Sequence, residues 1–291
     1  MRKRILITGA NSYIGTRFKD WVGQWAGKYR VDELSVRGEA WKEVDFSAYD
    51  AVLHVAGIAH VSTDPKLEQL YYQVNRDLTI AVAEKAKQDG VRQFIFLSSI
   101  IVYGDSGRIN ERKTITIDTL PEPANFYGMS KLQAEEGINR LDCDSFRVAV
   151  IRPPMIYGPG SKGNFSRLES IARITPIFPD IDNERSMLHV DNLCECIRML
   201  VDNREQGLFF PQDREYVKTS ELVRLLAQVN GRTVRLVRLF NPAIRLLGLK
   251  VGTVHKMFGN LTYDKSLSLY NDQAYCVTGF PKYNGSVGSR L

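Results

Sequence analysis

A glycine turn near the N-terminus limits the fold of this chain more than any other feature. A β-rich run over residues 4–8 leads into Thr8-Gly9-Ala10-Asn11-Ser12-Tyr13-Ile14-Gly15, and residues 13–26 follow with apolar side chains at helical spacing. Gly9 permits a tight turn, and Gly15 permits close packing of the helix on the strand. A strand, a glycine turn and a helix in this order are the context in which a dinucleotide phosphate binds a helix N-terminus. A plain glycine turn is the alternative on this motif alone.

Strands and helices alternate over the first half of the chain. We predict strands at residues 29–36, 51–55, 93–98 and 146–151, with helices at 67–89 and 127–139. The apolar run at 51–55 suits a parallel strand that is buried on both faces. This alternation predicts an α/β fold with a doubly wound parallel Rossmann sheet and right-handed crossovers.

The character of the chain changes after Arg152-Pro153-Pro154, where glycine and proline interrupt the pattern. We predict a dinucleotide-binding domain over residues 1–158 and a smaller, interleaved C-terminal substrate domain over residues 159–291. Strand-like runs within residues 186–212, at 187–190 and 207–210, are predicted to return to the sheet of the first domain.

Composition and charge restrict the class of protein. No run reaches the about 20 apolar residues that a membrane span needs, and the apolar run near the N-terminus is too short for a signal peptide. We therefore expect a cytoplasmic protein. The formal charge of +6 comes from basic residues that are spread along the chain, so we expect no nucleic-acid or membrane partner, while a homodimer is compatible with the sequence. Cys194 and Cys196 stand two apart on a predicted helix and point to different faces, so we expect no metal site.

Tyr127-Gly128-Met129-Ser130-Lys131 places a tyrosine and a lysine four residues apart at the start of a helix. Both side chains then project from one face, where the Lys131 ammonium would favour the Tyr127 phenolate and lower its pKa from about 10. As a lone pair, this spacing occurs by chance in many helices. Ser98 and Ser99, however, end a predicted buried strand, at the sheet edge where doubly wound folds bind ligands.

With these motifs, and with Arg152-Pro153-Pro154-Met155-Ile156-Tyr157-Gly158, the chain resembles the extended short-chain dehydrogenase/reductase superfamily, in particular its nucleotide-sugar epimerases, dehydratases and reductases. The resemblance is strongest over residues 4–158. It implies that Ser99 holds the reacting oxygen, that Tyr127 is the acid/base, and that Lys131 also holds the nicotinamide ribose. The expected cofactor-binding residues are Gly9, Asn11, Ser12, Tyr13, Ile14, Gly15, Ser35, Arg37, Asp45, Phe46, Val55, Ala56, Gly57, Asn75, Ser98, Lys131 and Pro153. The expected substrate-binding residues are Ser99, Tyr127, Asn164 and Arg185.

The second predicted strand bears on which nicotinamide cofactor fits. If it ends near Val36, its tip holds Ser35 and Arg37, which suit the 2′-phosphate of NADP. If it ends at Val31, Asp32 takes the tip and favours NAD. We expect NADPH, with NAD as the alternative.

Ile100 and Ile101 bear on the type of reaction, because they follow the active-site hydroxyl where related dehydratases carry an Asp-Glu pair. Apolar side chains do not shuttle protons, so dehydration is disfavoured. We expect an NADPH-dependent reductase of a nucleotide-linked 4-keto sugar, such as a UDP-4-keto-6-deoxy-N-acetylhexosamine. The alternatives are an NAD-dependent UDP-hexose or UDP-N-acetylhexosamine 4-epimerase and, in a different class, a regulatory or RNA-binding module. His54 and His60 are interpreted as packing or hydrogen-bonding residues.

Overall fold

The computed structural model describes residues 2–59, 64–107, 109, 111–161, 163–248 and 257–279. The strands of these residues are β1 Lys3–Thr8, β2 Tyr29–Leu34, β3 Ala51–His54, β4 Gln93–Leu97, β5 Thr114–Ile115, β6 Arg147–Ile151, β7 Met155–Tyr157, β8 Ile177–Pro179, β9 Met187–His189, β10 Gly207–Phe209, β11 Arg235–Val237 and β12 Thr262–Tyr263. The α-helices are α1 Tyr13–Val22, α2 Glu68–Tyr71, α3 Leu78–Gln88, α4 Phe126–Asn139, α5 Asn164–Ile174, α6 Val190–Asn203, α7 Thr219–Val229 and α8 Asn241–Gly248. A π-helical segment, Tyr72–Asp77, joins α2 to α3, so the helix predicted at 67–89 is present but not uniform.

Six parallel strands form the central sheet, in the order β10-β6-β4-β3-β1-β2. Ile5 of β1 lies opposite Val31 of β2 on one side and opposite Ala51 of β3 on the other. Because the chain reverses its winding between β1 and β3, their carboxyl ends border the crevice where such sheets bind ligands. The predicted α/β fold with a doubly wound parallel sheet is confirmed.

The chain divides into two compact units that are interleaved in sequence. Unit 1 comprises Met1–Gly104, Leu120–Pro153 and Val190–Pro211, and unit 2 comprises Asp105–Thr119, Pro154–His189 and Gln212–Leu291. The chain therefore first passes from unit 1 to unit 2 after Gly104. The domain boundary predicted from the sequence lies later, at residue 158.

The two strands predicted to return to the large sheet behave differently. β10 joins it beside β6 as predicted, but the prediction for residues 187–190 is wrong, because β9 pairs with β7 inside unit 2. An apolar run shows that a strand can form, whereas the sheet that takes it depends on the strand presented beside it.

The core of unit 1 fills both faces of the large sheet. All four residues of β3 are buried, as expected for a parallel strand covered on two sides, and Trp41 and Phe46 pack in the same cluster as Phe94 and Phe96 of β4. In unit 2, α5 and α7 pack around a separate cluster that includes Phe165.

Among the described residues, no helix combines the length and apolar character that a membrane crossing needs.

Candidate active site

The glycine turn after β1 has a conformation that depends on its glycines. Gly9 has φ +120°, and a Cβ there would lie 2.7 Å from the amide nitrogen of Ala56, so a side chain would be strained and would clash. A Cβ on Gly15 would lie 2.9 Å from Cγ2 of Ile7, which shows how closely α1 approaches β1. The turn therefore brings the N-terminus of α1 to the carboxyl edge of the sheet.

Ser12, which stands where the dinucleotide pattern often has glycine, is the N-cap of α1. Its Oγ accepts a hydrogen bond from the Gly15 amide at 3.2 Å. The amides of Tyr13 and Ile14 lie in the first helical turn, at the positive end of the helix dipole. Asn11 adopts φ +60° just before the cap. These residues fit a dinucleotide diphosphate, which would accept hydrogen bonds from the amides at the start of α1.

The tip of β2 is occupied by Ser35 and Arg37, because β2 ends at Leu34, two residues before the predicted end. Both tip residues are exposed. The two acids of the strand are engaged before the tip: Asp32 accepts a hydrogen bond from the Tyr49 hydroxyl at 3.2 Å, and Glu33 pairs with Lys19 at 3.0 Å. The tip thus presents a guanidinium and a hydroxyl and no carboxylate.

Asp45 and Phe46, both expected to bind the cofactor, have different environments. Asp45 is exposed, and hydrogen bonds from the Ser47 amide and hydroxyl, at 2.8 and 2.9 Å, lower the pKa of its carboxyl. The Phe46 side chain is fully buried in the core of unit 1, because it fills the space beneath the sheet. Of this pair, only Asp45 presents its side chain at the surface.

The segment after β3 is held close to the glycine turn. The amides of Val55 and Ala56 donate to the Thr8 carbonyl at 3.1 and 2.9 Å, and Gly57 is exposed. Asn75, fully buried, accepts from the Ile58 amide at 2.9 Å and donates to the Ile58 carbonyl at 3.0 Å. Through these two hydrogen bonds, Asn75 fixes the backbone of Ile58 at the end of the 55–58 segment.

His54 at the end of β3 is a buried hydrogen-bonding residue. Its two ring nitrogens lie 2.8 Å from the Thr8 hydroxyl and 3.1 Å from the Thr79 hydroxyl. Burial, assisted by the charge of Lys131, lowers its pKa to about 3, so the ring is neutral. His60 lies outside the described residues.

Ser99 and Tyr127 are brought together by the packing of α4 on the turn that follows β4. Ser99 caps a 3₁₀ turn, Ile100–Tyr103, and its Oγ accepts from the Ile101 amide at 3.3 Å. A Cβ on Gly128 would lie 2.8 Å from the Ile101 carbonyl, so only glycine lets α4 approach this closely. As a result, the hydroxyls of Ser99 and Tyr127 are hydrogen-bonded.

The pKa of Tyr127 is raised to about 12, opposite to the direction predicted from Lys131. Desolvation is the main cause, the hydrogen bond from Ser99 lowers the pKa in part, and the Tyr71 ring, 5.8 Å away between centroids, adds to the rise. Lys131 does not produce the expected phenolate, because its Nζ donates to the Leu97 carbonyl at 2.9 Å. Tyr127 therefore keeps its proton at neutral pH and is equipped to donate it.

Lys131 is only 6% exposed, and burial lowers its pKa to about 8, against the opposing charge of Glu135. Its Nζ also lies 4.5 Å from the centroid of the Phe96 ring. A Cβ on Gly57 would stand 3.4 Å from this ammonium, so the missing side chain leaves room for a ligand beside it.

A buried polar network lies beneath these residues, and the sequence predictions did not include its central acid, Glu135. Glu135 accepts a hydrogen bond from the Ser98 hydroxyl and pairs with Arg152, whose Nη2 lies 2.5 Å from Oε2. Arg152 also donates to the Tyr103 hydroxyl at 2.6 Å. Glu135 could have been noticed because it follows Lys131 by four residues on the same helix face.

The network also places two residues expected at the cofactor. The Ser98 side chain is directed to Glu135, and Pro153, which is buried, accepts from the Ile100 amide through its carbonyl at 2.9 Å. In this structure both residues hold the sheet edge that carries Ser99.

Two of the four expected substrate-binding residues, Asn164 and Arg185, lie in unit 2. Asn164 is the exposed first residue of α5 and follows Gly163, whose φ is +82°. The backbone of Arg185 pairs with Val217 at 3.0 and 2.9 Å, and its Nη1 donates to the Gly259 carbonyl at 3.3 Å. Burial lowers the pKa of Arg185 to about 10, so this partly desolvated guanidinium is still charged at neutral pH.

Comparison with known proteins bears directly on this arrangement. The model of the NAD dependent epimerase/dehydratase family matches residues 5–209, which include the glycine turn, Ser99, Tyr127 and Lys131. The chain belongs to this family. Unit 1 thus carries the family's dinucleotide-binding sheet, and the resemblance inferred from the sequence motifs is confirmed.

Relatives in the epimerase/dehydratase family include both epimerases and reductases. A UDP-glucose 4-epimerase from Vibrio cholerae is 33% identical over 250 residues, covering 78% of this chain and 76% of that protein. A GDP-6-deoxy-D-mannose reductase from Pseudomonas aeruginosa is 28% identical, covering 79% and 81%. The solved structure of RMD from Pseudomonas aeruginosa, complexed with NADPH, has a TM-score of 0.65 and 25% identity, covering 81% and 84%. The protein is an NAD(P)-dependent enzyme of the nucleotide-sugar epimerase and reductase group.

Proposed function

We propose that this enzyme reduces a nucleotide-linked 4-keto sugar with NADPH. The observation that carries the proposal is the tip of β2, where Ser35 and Arg37 are exposed while Asp32 and Glu33 are engaged within the strand. A guanidinium attracts a ribose 2′-phosphate, whereas a carboxylate at this position would repel it. An NADP-type cofactor is exchangeable between turnovers, as a reductase requires.

The residues of unit 1 supply the proton chemistry of this reaction. The bound nicotinamide would provide the hydride that adds to C4 of the sugar. Tyr127, protonated because of its raised pKa, donates its proton to the oxygen that becomes the alcohol, and the Ser99 hydroxyl holds that oxygen. The Lys131 ammonium, beside the space at Gly57, binds the nicotinamide ribose.

Substrate recognition is assigned to Asn164 and Arg185. The guanidinium of Arg185 is matched to a diphosphate, which accepts two parallel hydrogen bonds from it. A UDP-4-keto-6-deoxy-N-acetylhexosamine is the substrate we favour. Ile100 and Ile101 carry no proton-transferring group, so the proposal includes no dehydration step.

A 4-epimerase is the second candidate, and the 33% identity to the Vibrio cholerae UDP-glucose 4-epimerase favours it. The same three residues would serve, since an epimerase also moves a proton between Tyr127 and the C4 oxygen. It would instead retain one NAD and return the hydride to the opposite face of the sugar.

The test combines an assay with a cofactor-selectivity variant. Purified enzyme should consume NADPH stoichiometrically with the 4-keto sugar nucleotide, as the loss of nicotinamide absorbance. Arg37→Ala should weaken NADPH binding about tenfold or more and leave NADH binding nearly unchanged, because it removes a charge-assisted contact to a phosphate that only NADPH has. Arg140→Ala is the matched control, since Arg140 is an exposed arginine of unit 1 at the C-terminal end of α4 and not at the β2 tip.

Two results would refute the reductase. Equal losses of NADPH and NADH affinity in Arg37→Ala would show that the β2 tip does not select the cofactor. Interconversion of 4-epimeric UDP-sugars by enzyme carrying bound NAD, without net nicotinamide oxidation or reduction, would establish the epimerase.

A further inference from the structure

One stretch of the sequence has an unusual charge pattern. Residues 231–263 contain no aspartate or glutamate, although acids make up 33 of the 291 residues. The same stretch has six lysines and arginines among many apolar residues, namely Arg232, Arg235, Arg238, Arg245, Lys250 and Lys256. This local concentration departs from the even spread of charge that was expected for the whole chain.

The described part of this stretch forms a surface with the segment around β8. In unit 2, β11 pairs with β8 so that Arg235 lies opposite Ile177, and the Arg235 amide donates to the Pro176 carbonyl at 2.9 Å. Phe178, the next residue of β8, is buried in the core of unit 2. Because side chains alternate along a strand, Ile177 and Arg235 face away from that core.

Four large apolar side chains are exposed on these two paired segments. Ile174 is 76% exposed, Ile177 46%, Leu239 84% and Phe240 49%. The backbone that carries them is fixed, because the Asp180 amide donates to the Val237 carbonyl at 2.9 Å and Asn241 Nδ2 donates to the Asp180 carbonyl at 2.9 Å. A fixed backbone that keeps such side chains in water indicates a surface used for binding.

The charges around these side chains indicate which kind of partner binds the surface. Asp180 is neutralised by Arg238 and Lys218, at 2.9 and 2.7 Å, whereas Arg232 and Arg235 form no ion pair among the residues that the structure describes. A second copy of the chain, docked symmetrically, would bring two arginine-bearing surfaces together, and residues 231–263 contain no acid to offset their charge. Nucleic acid would match the arginines but leave Ile174, Ile177 and Leu239 in water. An anionic phospholipid surface binds both the arginines and the apolar side chains. Its phosphates pair with the guanidiniums, and the boundary of its acyl chains buries the apolar side chains.

We propose that the surface formed by Ile174, Ile177, Arg232, Arg235, Leu239 and Phe240, the basic apolar surface, docks the enzyme reversibly on an anionic phospholipid membrane. This docking requires no membrane-spanning segment, because the apolar side chains reach only the interface of the bilayer. This docking involves unit 2 alone and does not depend on which reaction the enzyme catalyses.

The test is vesicle co-sedimentation of the full chain without substrate. The protein should sediment with phosphatidylcholine vesicles that contain about 30% phosphatidylglycerol, and not with phosphatidylcholine alone, because the arginines need anionic lipid. Raising the salt from about 0.1 M to about 0.5 M should release it. The double change Leu239→Ser and Phe240→Ser, and separately Arg235→Glu, should each weaken binding about tenfold.

Matched controls use equally exposed residues of unit 2 outside the basic apolar surface. Ile117, 78% exposed, and the exposed Arg112 supply the variants Ile117→Ser and Arg112→Glu, which should bind vesicles like the unaltered protein. Failure to bind the anionic vesicles, or full binding by the double serine variant, would overturn the proposal. So would light scattering that shows a dimer converted to a monomer by the double serine change without vesicle binding, since the occupant would then be a second copy.

Discussion

The buried pair of Glu135 and Arg152 allows a prediction about what holds the catalytic edge together. Replacing Glu135 with leucine removes the carboxylate from an arginine that is 6% exposed and takes the acceptor from the Ser98 hydroxyl. Breaking a buried ion pair from one side costs about 3–5 kcal/mol, because the remaining charge stays desolvated. We expect Glu135→Leu to lower the free energy of unfolding by that amount.

The double change Glu135→Leu and Arg152→Met separates the loss of the pair from the cost of the orphaned charge. With both charges gone, the penalty should fall to about 1–2 kcal/mol, so the two single changes should not add. Urea unfolding followed by tryptophan fluorescence suits the assay, since Trp41 is 3% exposed and packs in the same unit.

An exposed pair on α5 provides the control for this measurement. Arg173 and Glu169 lie 2.7 Å apart with Arg173 58% exposed, so Glu169→Leu should cost no more than about 0.5 kcal/mol. The reasoning is refuted if Glu135→Leu costs as little as Glu169→Leu, or if the double change costs the sum of both single changes.

Three further predictions concern the site residues. Tyr127→Phe should reduce turnover about 10²- to 10⁴-fold while sparing cofactor affinity, because it removes the transferable proton and keeps the ring; a variant within twofold of the unaltered enzyme would contradict the acid role. Lys131 has a folded pKa of about 8 and an ordinary value of 10.5, so the unfolded chain binds more protons between these values and the stability should rise with pH across this window. Urea unfolding of Lys131→Met, measured at both ends of this pH window, should show no such rise in the free energy of unfolding. An equal rise in the variant would assign the pH dependence to another group. Arg185→Ala should raise the substrate KM about tenfold and leave nicotinamide binding unchanged, whereas weakened nicotinamide binding would place Arg185 at the cofactor.

Much of unit 1 was predictable because its signals are local. The apolar run of β3, the glycines at 9 and 15 and the four-residue spacing of Tyr127 and Lys131 each describe neighbours in sequence. Such patterns fix where strands and helices lie and which face a side chain takes. The strand end at Leu34 could be predicted only within two residues, yet this was enough to place Ser35 and Arg37 at the tip.

The chemistry of the site depended on contacts between residues far apart in the chain. The sequence indicated a lysine that would lower the pKa of Tyr127. Instead, burial desolvates the phenol and raises its pKa, with a smaller electrostatic contribution from Tyr71, while Lys131 binds the Leu97 carbonyl. In the same way, Glu135 became central only because β6 delivers Arg152 to α4. Periodicity and spacing are determined by covalent neighbours, so the sequence alone carries them. Desolvation and buried ion pairs are determined by which distant segments pack together, so only the tertiary structure decided them.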